Sequence, residues 1–184
     1  MPTNADQPKG FVPAGHKGGG SIRAATYNIA YDYGTAIYTG DAVILSSGKV
    51  AVAAQDSAAI LGVFDGCQYK NNAGEVVFSR YWPGTALSDS GAVVTAYVYV
   101  DPNILFEVQT DTGTAYVDAT HIGTSVDVEL DHAGSATTGQ SGMEIDVGDT
   151  GTGQFTIYQL VDRPGNAAGI NAKVLVHINA PAFG

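Results

Sequence analysis

This 184-residue chain is short of cysteine and of basic side chains, with one Cys and eight Lys or Arg against eighteen Asp or Glu. Cys67 cannot pair internally, so no disulfide framework holds the fold and a reducing compartment suffices for it. Its thiol has Phe64 and Tyr69 as close sequence neighbours and no histidine nearby, which predicts a buried, inert residue. No run approaches the ~20 apolar residues of a membrane span, and the N-terminus lacks the apolar stretch of a signal peptide. A soluble, unprocessed chain without a membrane partner is expected. The formal net charge is −10, yet residues 1–23 carry Lys9, Lys17 and Arg23 against Asp6 alone. A slightly basic start therefore precedes a body of −12, which would repel nucleic acid.

Catalytic signatures are equally scarce. No Gly-x-Ser-x-Gly elbow occurs, and Gly139-Gln140-Ser141-Gly142 stops one position short of it. Gly18 to Gly20 form too short a run, too far from any strand, to cradle a phosphate. Acids are plentiful, but the cleft spacing that a glycosidase pair needs is not written in sequence. A hydrolase using the acids between Asp118 and Asp149 ranks last among the readings, and no cofactor is expected.

What the chain does contain is strand language. Residues 38–69 hold the apolar runs Val43-Ile44-Leu45, Val50 to Ala53 and Ile60 to Phe64, with a Ser47-Gly48 turn between the first two. Strand, tight turn and strand without room for a helix predict an antiparallel meander. Tyr27, Ile29, Tyr31 and Tyr33 alternate along one strand face. Asn71 to Gly74 turns a further hairpin, and Ala92 to Val100 and Ile104 to Gln109 are rich in β-branched and aromatic residues. Gln154 to Val161 and Ala172 to Asn179 alternate again. About nine or ten short strands with turn signals between them predict an all-β fold, a compact antiparallel β-barrel or a jelly-roll-like β-sandwich. Residues 1–25, with three prolines and a triple glycine, read as a flexible N-terminal arm, and residues 26–184 as a single β-rich domain. Within that domain, residues 110–153 are acidic and loop-rich. Ser141-x-x-Glu144 has the spacing of a helix capping box.

Four histidines are present. His16 and His177 read as structural. His121, Asp127, Glu129, Asp131 and His132 form the one cluster that could hold Ca²⁺, but it lacks the glycine-punctuated ladder of a calcium loop. A solvated acidic face is the favoured reading, and no metal site is expected. Arg80-Tyr81-Trp82 could offer a sugar-stacking platform or close the end of a barrel.

The blocks TGDAVILSSGKVAVA, ILGVFDGCQY, VVFSRYWPG, VTAYVYVDPNILFEVQTD and LVDRPGNAAGINAKVLVHIN resemble, in order and wording, small tailed-bacteriophage proteins that decorate or cement the capsid. The resemblance covers most of residues 26–180 and includes no catalytic motif. It implies a non-catalytic virion protein, made in the host bacterial cytoplasm, that binds the major capsid protein on the capsid surface as a homo-oligomer, a trimer above all. The expected contacts are Phe11, Val12, Ile22 and Arg23 of the arm, followed by Tyr27, Tyr31 and Tyr33. The alternative is a head-fibre, tail or other virion protein that binds host-surface glycan through Tyr81 and Trp82.

Overall fold

The computed structural model describes residues 4–87, 89–111, 113, 117–148 and 153–183. Asp149, one of the acids noted above, lies outside them. Among the described residues, fourteen strands follow one another with one 3₁₀ turn at Ala119–His121. The first seven are β1 (Val12–His16), β2 (Ala25–Ile29), β3 (Ile37–Tyr38), β4 (Ala42–Ser46), β5 (Lys49–Val52), β6 (Gly62–Lys70) and β7 (Val76–Ser79). The rest are β8 (Tyr81–Trp82), β9 (Val94–Tyr99), β10 (Ile104–Gln109), β11 (Ser125–Glu129), β12 (Glu144–Asp146), β13 (Phe155–Leu160) and β14 (Lys173–Ile178). The fold is all-β, as the alternation predicts.

Five strands close a barrel in the order β4-β5-β2-β9-β6, because β6 pairs back onto β4. Closure removes sheet edges, and β7 extends the sheet outward from β6. The β4–β5 hairpin turns at Ser47 and Gly48, both at positive φ (50° and 75°). Two such residues make the turn whose twist matches the flanking strands, and Gly48 takes it without steric cost. Beyond that hairpin the meander fails. β6 lies beside β4 rather than β5, and β5 pairs in parallel with β2 through Ile29 and Val50. The connection from Ala53 to Leu61 is long enough to cross the barrel, which a meander does not require.

The second sheet runs β1-β10-β14-β13-β11-β12. It curls until β12 returns to the end of β10 through the Thr110–Ile145 bridge. Its apolar face packs on the barrel's outer wall. Phe106, Val126, Phe155, Val174 and Val176 share one core with Ala42, Val63 and Ile60. Ile29, Val43, Val50, Phe64, Trp82, Val94 and Val98 form the other, inside the barrel. Cys67 is buried there, and burial pushes its thiol up to about 12, so it is inert.

The N-terminal stretch departs from the expected flexible arm. Val12–His16 is an edge strand on β10, slipping register between Pro13 and Gly15. An edge is where a strand tolerates proline. The triple glycine then wraps His16, whose Nδ1 accepts the N–H groups of Gly18 (3.0 Å) and Gly20 (3.1 Å). That leaves Nε2 to donate to Asp101 Oδ2 at 3.1 Å. A Cβ on Gly20 would meet the ring at 2.9 Å, so close approach, not mobility, accounts for this glycine. The capping box is displaced too. Glu144 belongs to β12, while Asp118 and His121 make the reciprocal contacts around the 3₁₀ turn.

Two outcomes follow for stability. Val43 is fully buried inside the barrel, so Val43→Asp should unfold the chain, seen as loss of β-sheet circular dichroism. Asp41 is 4 % exposed, and burial pushes its carboxyl from 3.8 up to about 6, against the opposing hydrogen bonds of Ser141 and the Tyr38 N–H. The folded state therefore keeps a proton that the unfolded chain releases, and stability falls as pH rises from about 4 to about 6. The loss is about 3 kcal/mol for a shift of this size. Urea unfolding across that range should show the slope in the wild type and its absence in Asp41→Asn.

Candidate interaction surface

The seven expected contact residues separate into two groups. Phe11 is 1 % exposed and stacks on Phe155 with ring centroids 4.4 Å apart and an 18° interplanar angle. Its N–H donates to Gly40 O at 2.9 Å. The side chain fills its own chain's core and is not available to a partner. Tyr27, Tyr31 and Tyr33 are partly buried against the barrel interior. The strand ends at Ile29, so Tyr31 and Tyr33 lie in the connection that follows rather than on one strand face. The Val52 N–H donates to the Tyr33 hydroxyl at 3.0 Å, and the Trp82 indole N–H donates to the Tyr33 carbonyl at 2.8 Å. Tyr31 and Tyr33 thus lie where β2 leaves the barrel, while Tyr27, opposite Ala96, stays within its wall. Only Val12, Ile22 and Arg23 stand open to solvent. The last two belong to residues 17–24, a wholly exposed link between the sheets that also carries Lys17.

Trp82 is fully buried and meets Tyr69 edge-on at 5.2 Å, while Tyr81 stacks on Tyr38 at 5.5 Å. Of the two readings of this trio, barrel closure is correct for Trp82, and the indole cannot stack on a sugar from solvent.

The acidic cluster also comes apart. Asp127 is fully buried in β11 and accepts the Gln154 N–H at 2.9 Å, so the expected solvated face does not include it. His121 turns to Asp118 Oδ1 at 2.9 Å. His132 turns the other way, its Nδ1 2.8 Å from Glu144 Oε2. Glu144 is 1 % exposed, and desolvation raises its carboxyl above the usual range, against hydrogen bonds from Gln109 and His132.

The most open apolar surface is one that alternation did not single out. On β7, Val76 is 61 % and Phe78 72 % exposed, and Val93 beside them is 65 % exposed. The registers explain the grouping. Val76 faces Lys70 and Phe78 faces Gln68 on β6, and Gln68 faces Thr95 on β9. These residues share the outer face of the sheet where β7 extends it beyond the barrel, and a groove of about 250 Å³ runs there between Gln68, Lys70, Val76, Val93 and Thr95. The Asn71 N–H bonds to Glu75 O, so the hydrogen-bonded pairs of this hairpin continue at Tyr69–Val77 and Cys67–Ser79. The N–H and C=O groups of Val76 and Phe78 consequently point away from β6. Among the described residues no strand pairs with that side. An edge with open backbone groups and large exposed apolar side chains is suited to receive another chain. Sequence missed it because Val76-Val77-Phe78 places apolar residues on both faces, leaving the period ambiguous.

The placement of Phe11 sets a test. Phe11→Ala should cost about 3–5 kcal/mol in chemical denaturation, and removing residues 1–24 should abolish folding by stripping β1 from β10. Ile22→Ser and Arg23→Ala should change stability by no more than about 0.5 kcal/mol. Comparison of the chain with models of known protein families, with curated proteins and with solved structures finds no match.

Proposed function

We propose that the protein is a non-catalytic virion component that binds the outer surface of a phage capsid and stabilises it, a decoration or cement protein. The observation that carries the reading is the open β7 edge with Val76, Phe78 and Val93 beside it. Such a surface has a use in a protein whose task is to bind other chains and a cost in one that remains alone. The resemblance of the sequence blocks to capsid-decorating proteins supports the same reading. The partner is the major capsid protein, and a trimer on a local threefold position is the favoured assembly.

In this reading the contacts move from the buried Phe11 and half-buried tyrosines to two exposed places. One is the β7 edge. The other is the link of residues 17–24, where Lys17, Ile22 and Arg23 offer positive charge and one apolar side chain on an otherwise acidic protein. Binding to the assembled shell alone would stabilise it by mass action, without chemistry.

Purified protein added to bare heads of the corresponding major capsid protein should bind and raise their melting temperature. Phe78→Ser should weaken attachment at least tenfold while leaving the melting of the free protein nearly unchanged. Heads that neither bind the protein nor melt higher in its presence would remove the proposal.

A further inference from the structure

We propose that His132 and Asp6 form a binding site for a divalent transition metal ion of the zinc type, one that fastens the N-terminal segment to the body. The buried carboxylate of Glu144 is held from two sides. Its Oε1 accepts from Gln109 Nε2 at 2.7 Å and its Oε2 lies 2.8 Å from His132 Nδ1. With Nδ1 engaged by Glu144 Oε2, Nε2 is the ring nitrogen left to face outward, and a metal ion would bind there in place of a proton. Glu144 thereby orients the imidazole as carboxylates behind metal-binding histidines do.

Asp6 is oriented by the same amide. Its Oδ1 accepts from Gln109 Nε2 at 3.0 Å, and Gln109 Oε1 in turn accepts the Gln7 N–H at 3.0 Å. Its Oδ2 faces His132 Nε2 across 3.8 Å. That gap is too long for a hydrogen bond. It is a little wider than the roughly 3.4 Å between two ligands that each lie about 2.1 Å from a tetrahedral ion, so a shift of a few tenths of an ångström would let both atoms reach one ion. Donor atoms of Asp6, His132 and Glu144 all lie within 4.8 Å of one another.

Access favours an ion as well. The His132 and Asp6 side chains are 38 % and 41 % exposed, so the remaining coordination positions open to water. A cleft lined by Gln7, Pro8, Lys9 and Ser141 leads to His132. Lys9 is the nearby cation in that lining, and Asp6 and Glu144 oppose it. An imidazole nitrogen with a single carboxylate selects Zn²⁺ or Co²⁺ over Ca²⁺ and Mg²⁺, which take oxygen sets.

Metal binding at this site does not require a capsid partner. Titration of the full chain with Zn²⁺ at neutral pH, followed by calorimetry and thermal melting, should give one saturable site per chain and a melting temperature raised by a few degrees. Co²⁺ should report the nitrogen ligand by its visible absorption. Asp6→Asn, on an exposed side chain that leaves the core intact, should remove saturable binding, as should His132→Ala. Glu144→Gln should weaken binding at least about tenfold through loss of ring orientation. His121→Ala should bind as the wild type does. Wild-type protein without a saturable site, or Asp6→Asn and His132→Ala binding Zn²⁺ as the wild type does, would overturn the assignment.

Discussion

Burial of β4 on both of its faces is the constraint on which the rest of the structure depends. Ala42 and Ile44 pack against the core shared with the second sheet, while Val43 and Leu45 point into the barrel. Val63 and Phe64 on β6 divide in the same way, and Val52 touches both cores. A barrel wall clad on its outer side cannot alternate apolar and polar residues, so these strands read as continuous apolar runs. The two cores are therefore stabilised by the same few strands, and neither sheet is independent of the other.

The N-terminal segment gains its place from that arrangement. Phe11 enters the shared core against Phe155, and the stack adds about 1 kcal/mol to the burial of two rings. Asn4 holds the loop after β13 through the Ala167 and Ile170 carbonyls and the Ala167 N–H. His16 folds the triple glycine around itself. A stretch whose composition resembles a linker is in this way held by one aromatic stack and a series of side-chain to backbone hydrogen bonds.

The all-β class and most strands were legible because alternation and turn residues are local properties. Val94 to Tyr99 and Lys173 to Ile178 bury every second residue, as their sequences require. β1 was not legible, since Val-Pro-Ala-Gly-His has no period and its partner β10 lies far along the chain. The order of strands in the barrel was not legible either, because the choice between β4 and β5 as neighbour of β6 depends on tertiary closure. Among the site residues, exposure failed to follow from residue type. Phe11, apolar and next to a glycine, is buried, whereas Phe78, apolar and within a strand, is open. His132 was visible as one of a sequence cluster, but Asp6 comes from the other end of the chain and only the fold brings it near.

The position of β14 bears on how the chain reaches its folded state. It lies between β10 and β13 in the second sheet, so β10 and β13 do not pair with each other before it is present. During synthesis, β1 and Phe11 leave the ribosome early and wait for β10 and for Phe155 of β13, and the sheet that joins these two strands closes only after β14 has been made. Pairing across such separations is slow and exposes apolar strands in the meantime. The barrel strands β2 to β9 are complete first, and the outer sheet would assemble upon them afterward, with the N-terminal segment among the last parts to settle.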